Sequence, residues 1–170
     1  MKILQNFSFL FLLLLSISGN AQENTRPCSS ENYKQFDFWV GNWEVFDAEN
    51  KLIGTNNVVR TPNACAIQEN WESKTSPNKG TSYNYFNNSD KKWHQVWIDN
   101  SGFILNLEGN FIDGKMVLKS GLIKNQKQNY YNRISWYKEN NNVIQIWDYI
   151  DEEEKVIQQV FKGIYKKKTN

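Results

Sequence analysis

The sequence predicts an all-β protein: an antiparallel up-and-down β-barrel of about ten strands behind a short N-terminal helical turn. Three observations lead there. From about position 41 onward, apolar residues recur with a period near two, the pattern of strands with one buried face. The segments between them are short and rich in Asn, Asp, Gly and Ser, which accept turn and left-handed backbone. Connections that short join antiparallel neighbours and leave no room for the crossover helices of a parallel sheet. Some ten successive strands must close or split to hide their edges. A barrel removes the edges altogether, and a β-sandwich is the competing arrangement.

The elements follow in order. Residues 1–21 read as a signal peptide: Lys2 gives the positive start, and an apolar run over 7–17 is too short to span a bilayer. Gly19 and Ala21 supply small residues for cleavage after Ala21. Residues 22–170 then form a single exported domain, periplasmic or secreted. No later stretch is long and apolar enough to cross a membrane. Residues 29–36 suit one or two helical turns, with Ser at the cap and Glu31 near the positive end. Strands are expected over about 41–48, 51–61, 65–74, 80–87, 91–99, 102–108, 110–112 pairing on into 115–123, 129–138, 143–150 and 155–166. The 110–123 stretch is a hairpin in its own right, so eleven strands is the alternative count. Asp113-Gly114 is a strong two-residue hairpin signal.

Composition excludes several classes. The chain has 170 residues, a net charge of +2 and 22% charged residues, ordinary for a folded domain. That balance argues against a dedicated binder of nucleic acid or of membrane surfaces. The basic cluster Lys166-Lys167-Lys168 is a solvated end. Cys28 and Cys65 are the two cysteines, and an oxidising compartment favours their pairing; two unpaired thiols is the alternative. Such a bridge would tie the N-terminal segment to a strand deeper in the fold. A monomer is expected.

Gly41-Asn42-Trp43, at the head of the first strand, resembles the Gly-x-Trp of the lipocalins and their calycin relatives. The longer string FDFWVGNWEV resembles an uncharacterised bacterial family of lipocalin-like barrels with an FDFWxGxWxV signature. The likeness takes in Cys65, Glu69-Asn70-Trp71, Gly80-Thr81-Ser82-Tyr83-Asn84, Trp93-His94-Gln95-Val96-Trp97 and Phe161-Lys162-Gly163-Ile164-Tyr165. It implies a barrel with a cavity, closed at one end by the motif's Trp, often beside an Arg from the last strand. Here the last strand offers only lysines. The resemblance implies no established activity.

Strand parity sorts the side chains. Trp93, Gln95, Trp97 and Asp99 share one face of their strand, and two indoles mark it as inner. Ile67, Glu69 and Trp71 align, as do Ser82, Asn84 and Phe86, and Val143, Gln145, Trp147 and Tyr149. In 129–138 the set Arg133, Ser135, Tyr137 opposes Asn132, Ile134, Trp136, and either set can face inward. An interior mixing Trp with acid, amide and hydroxyl groups suits a cavity for a small, partly apolar molecule better than a solid core, where unpaired polar groups cost about 1–3 kcal/mol each. The expected ligand-binding set is Glu69, Trp71, Ser82, Asn84, Gln95, Trp97, Arg133, Gln145 and Trp147. Polar groups satisfying one another without a ligand is the competing account.

Glu69 is the ionisable residue of most interest. Between Ile67 and Trp71 its pKa should rise by desolvation, unless Arg133 or a lysine pairs with it. A buried Glu–Arg brace is the expected arrangement, and a general acid or base the alternative, with Arg133 or Asp99 as its helper. His94, the single His, should point outward, which disfavours metal or haem ligation. No nucleophile elbow, phosphate loop or zinc spacing is present in the sequence, and no metal or cofactor is implied. The reading is a binding barrel rather than an enzyme; an interaction protein with a filled interior is the remaining class.

Overall fold

The computed structural model describes residues 26–168, and the expected signal peptide lies outside them. Ten strands form one closed antiparallel barrel. They are β1 (Gly41–Phe46), β2 (Leu52–Arg60), β3 (Ala66–Ser73), β4 (Lys79–Asn87), β5 (Lys92–Asp99), β6 (Ile104–Ile112), β7 (Lys115–Lys119), β8 (Tyr131–Glu139), β9 (Asn142–Ile150) and β10 (Val156–Lys167). Each strand pairs with the next, and β10 returns to β1 through Trp43↔Lys167 and Val45↔Tyr165, so no edge remains open.

The expected strand count stands, with the boundaries on either side of the Asp113-Gly114 turn corrected. Residues 110–112 belong to β6, not to the strand that follows. Gly109 does not break β6, because the partner backbone comes in against it: a Cβ there would lie 2.1 Å from the Val117 carbonyl oxygen. The tight turn falls at Asp113-Gly114, with φ of 49° and 78°. β7 ends at Lys119, short of 123; beyond it a single bridge, Ile123↔Tyr130, joins the loop on itself.

The N-terminal segment plugs one end. The expected N-terminal helical segment is present as two short 3-10 turns, Glu31–Lys34 and Asp37–Trp39. Ser30 occupies the cap position without a side-chain capping bond. Phe36 and Trp39 are fully buried. Phe36 stacks on Trp39 at 4.9 Å between centroids and meets Trp136 and Trp93 edge-on at 5.2 and 5.7 Å. Burying a Phe side chain contributes about 1.5–3 kcal/mol, and each aromatic pair adds about 0.5–1.5 kcal/mol. Phe38 is half-buried against Phe111.

Polar contacts fix the plug in place. The Trp43 indole N–H donates to the Trp39 carbonyl at 2.8 Å. Arg60 donates to the carbonyls of Ala64 at 2.8 Å and Tyr33 at 3.0 Å, and pairs with Asp37. The disulfide Cys28–Cys65, with 5.0 Å between Cα atoms, ties the segment to the loop before β3. Where the resemblance implies an Arg beside the motif's Trp, Lys167 stands instead, its ammonium 5.7 Å from the Trp43 ring centroid.

Candidate functional site

Inward-facing side chains stack in three layers along the barrel axis. The closed end is the aromatic plug. Above it runs a polar belt. The open end is aromatic again, and there the interior is hollow.

The belt arises because inward positions of β2 to β5 lie in register. Glu69 faces Ser82 across β3–β4, and Asn84 faces Gln95 across β4–β5. Glu69 is 5% exposed and accepts from the Asn56 amide and the Ser82 hydroxyl, each at 2.7 Å. Asn84 donates to the Ser82 hydroxyl oxygen at 2.9 Å and to the Ile67 carbonyl at 3.3 Å. Gln95 donates to the Asn84 amide oxygen at 2.7 Å. Opposite them, the Tyr165 hydroxyl donates to the Gln145 amide oxygen.

Burial pushes the Glu69 carboxyl up to about 7, against the pull of the Ser82 and Asn56 hydrogen bonds. Burial also raises the Tyr165 phenol, and the nearby Glu69 charge raises it further. The belt keeps spare capacity: the buried Asn56 amide oxygen has no partner among the described residues.

Beyond the belt lies a cavity of about 400 Å³. Trp71, Trp97, Trp147 and Phe161 form its aromatic walls, with Leu105 and Ile134; Glu69, Gln95, Gln145 and Tyr165 reach it from below. Ser73, Ser76, Asn78, Asp99 and Phe103 line the mouth. The hollow depends on two glycines. A Cβ on Gly54 would sit 2.1 Å from the Trp71 ring, and one on Gly80 would sit 2.2 Å from the Trp97 ring. Both indoles therefore lie flat against glycine backbone and leave the centre open.

Six of the nine expected ligand-binding residues line the cavity: Glu69, Trp71, Gln95, Trp97, Gln145 and Trp147. Ser82 and Asn84 are fully buried in the belt, one step behind it. Arg133 is a correction. Its set on β8 faces outward, and it donates to Asp148, directly across on β9, at 3.1 Å. Ile134 and Trp136 take the inner positions because burying them is favourable, whereas an unpaired guanidinium would lose its hydration there. The expected Glu69–Arg133 brace is therefore absent, and neutral donors satisfy Glu69.

Asp99 spends its oxygens on the rim turn. It accepts from the Ser101 amide at 2.8 Å, the Ser101 hydroxyl at 2.6 Å and the Phe103 amide at 3.1 Å. The Ser101 hydroxyl and these backbone donors hold its carboxyl below the usual range. His94 lies on the opposite face of β5 from Trp93 and Trp97, stacked on Tyr85 and 2.8 Å from Asp90. Among the described residues, no group of three or more His, Cys, Asp or Glu is placed to hold a metal ion.

Sequence reasoning did not assign Asn56, Phe161 or Tyr165 to the site, and it left the face of Asn132 open. Alternation of Gly54, Asn56 and Val58 along β2 was the available signal for the first. Asn132 accepts from the Trp147 indole N–H at 2.8 Å and is 2% exposed. Trp147→Phe is expected to leave that amide oxygen unpaired and to cost about 1–3 kcal/mol, read as a lower urea midpoint with an unchanged slope.

The architecture is a closed antiparallel barrel, consistent with a calycin-like fold, with a buried aromatic cluster of the kind a binding barrel carries. No family model matches the chain, and no curated protein matches it.

Proposed function

We propose that this chain is an exported, monomeric barrel that binds one small, partly apolar molecule in its lumen. The observation that carries the reading is the cavity itself: about 400 Å³, walled by indoles and floored by the hydrogen-bonding groups of Glu69, Gln95, Gln145 and Tyr165. That volume and that mixture are usual for small-molecule sites. A filled interior would have put apolar side chains where Glu69, Gln95 and Gln145 stand. Export is supported by the sequence of residues 1–21 and is compatible with the disulfide. Among the described residues no helix is long and apolar enough to cross a membrane. On this reading residues 22–170 are the mature, single-domain protein.

The test is native mass spectrometry of protein purified from its own host. A co-purified small molecule is expected, released on denaturation. Gln95→Leu with Gln145→Leu should lower its occupancy several-fold; unchanged occupancy overturns the reading. A second reading, Glu69 as general acid or base, draws on its burial beside the lumen with a pKa near 7. A turnover whose pH midpoint disappears in Glu69→Gln would mark an enzyme, whereas a binding barrel changes no bound molecule.

A further inference from the structure

We propose that the occupant of the lumen is an organic cation: an amine or quaternary ammonium on an apolar body, its charge held between the Glu69 carboxylate and the indole faces. This deepens the binding reading above and rests on it. Four aromatic rings wall the cavity, from Trp71, Trp97, Trp147 and Phe161. Ring faces attract cations, more strongly where water is excluded. The charged groups lining the cavity are Glu69 and Asp99, and both are acids; no Lys, Arg or His lines it among the described residues. An anionic guest would meet carboxylate without a counter-charge. A neutral guest would leave Glu69 as it stands, in a setting that penalises its charge.

Glu69 has hydrogen-bond partners but no counter-charge. The elements around it present Asn56 from β2, Ser82 from β4, Gln95 from β5, and Gln145 and Tyr165 from β9 and β10. Tyr165 is the titratable one, and its phenol, raised by burial, stays neutral at physiological pH. Asp99 is committed to the rim turn. The carboxylate therefore has no positive partner within the lumen, and burial pushes its pKa up to about 7. An entering cation supplies that partner. It favours the ionised form, so uptake near neutrality expels a proton. With a net charge of only +2 on the whole chain, general attraction does not account for a preference for cations.

The experiment uses phenyltrimethylammonium and its neutral shape-match tert-butylbenzene, titrated into the intact protein and followed by tryptophan fluorescence, since three indoles line the cavity. At pH 8 the cation should bind at least about tenfold more tightly than its isostere, and this preference should shrink about tenfold by pH 6 as Glu69 is protonated. The isostere's affinity should not change with pH. Glu69→Gln should cut the preference at pH 8 to no more than its pH 6 value and make it independent of pH. If that variant fails to fold, the pH series on the wild type decides. Equal or tighter binding of the isostere at both pH values overturns the cation and leaves the binding barrel standing. Silence from both probes, with native-host protein still carrying a small molecule, likewise overturns only the cation. Silence together with an empty native-host protein overturns both.

Discussion

Replacing Cys28 and Cys65 together by serine is expected to lower the stability of the barrel by about 3–4 kcal/mol. The bridge spans 37 residues of sequence separation. In the chain-entropy account its removal frees the unfolded ensemble to expand, and the cost grows with the logarithm of loop length. The folded state should change little, because Arg60 still holds the N-terminal segment through Tyr33 and Asp37, and Phe36 stays inserted among Trp39, Trp93 and Trp136. The measurement is urea unfolding of the two proteins side by side, with far-UV circular dichroism to show that the strands persist. Equal midpoints would mean that the plug is anchored without the covalent tie.

The second large effect is on the pH dependence of stability. Glu69 has a folded-state pKa of about 7 against an ordinary 4.5. Between those values the folded protein binds more protons at this site than the unfolded chain does, so stability falls as pH rises. The contribution is most favourable below about 4.5, declines through the interval and levels off above about 7. The full difference is about 3 kcal/mol at 1.36 kcal/mol per unit. Glu69→Gln should abolish this slope. The variant is therefore expected to be the more stable protein at pH 8 and to lose that margin by pH 5. Asp99, Glu72, Asp90 and Glu154, all held below their usual ranges, titrate in both proteins and cancel in the comparison. Urea midpoints at pH 5, 6, 7 and 8 read the effect; parallel curves would place Glu69 in a far wetter setting than its 5% exposure indicates.

Much of the architecture was legible because alternation and turn chemistry are local signals. The inner face of β5 could be read from Trp93 and Trp97 in one parity set, those of β3 and β9 from Ile67 with Trp71 and from Val143 with Trp147, that of β4 from Phe86, and the hairpin turn from Asp113-Gly114. β8 could not be read the same way. Tyr137 and Trp136 put an aromatic on each face, and the choice depends on Asp148 standing across from Arg133, which is a matter of register with another strand. Asn56 was hidden for a related reason: Gly54, Asn56 and Val58 form an inner face with a single apolar member. Gly109 resembled a break because sequence shows a missing side chain but not the Val117 carbonyl that occupies its place. The polar belt, finally, is a cross-strand object. Its members were identifiable one by one, but that Glu69 would draw on Ser82 and Asn56 rather than on a cation is decided by pairing partners 13 residues away in either direction.

The two glycine notches set the calibre of the bore. One added carbon at Gly54 or Gly80 would collide with the Trp71 or Trp97 ring at 2.1 or 2.2 Å, so the indole would have to shift. The width of the lumen is thus governed by two residues that do not line it, and a change at either would narrow the bore while every wall ring kept its identity.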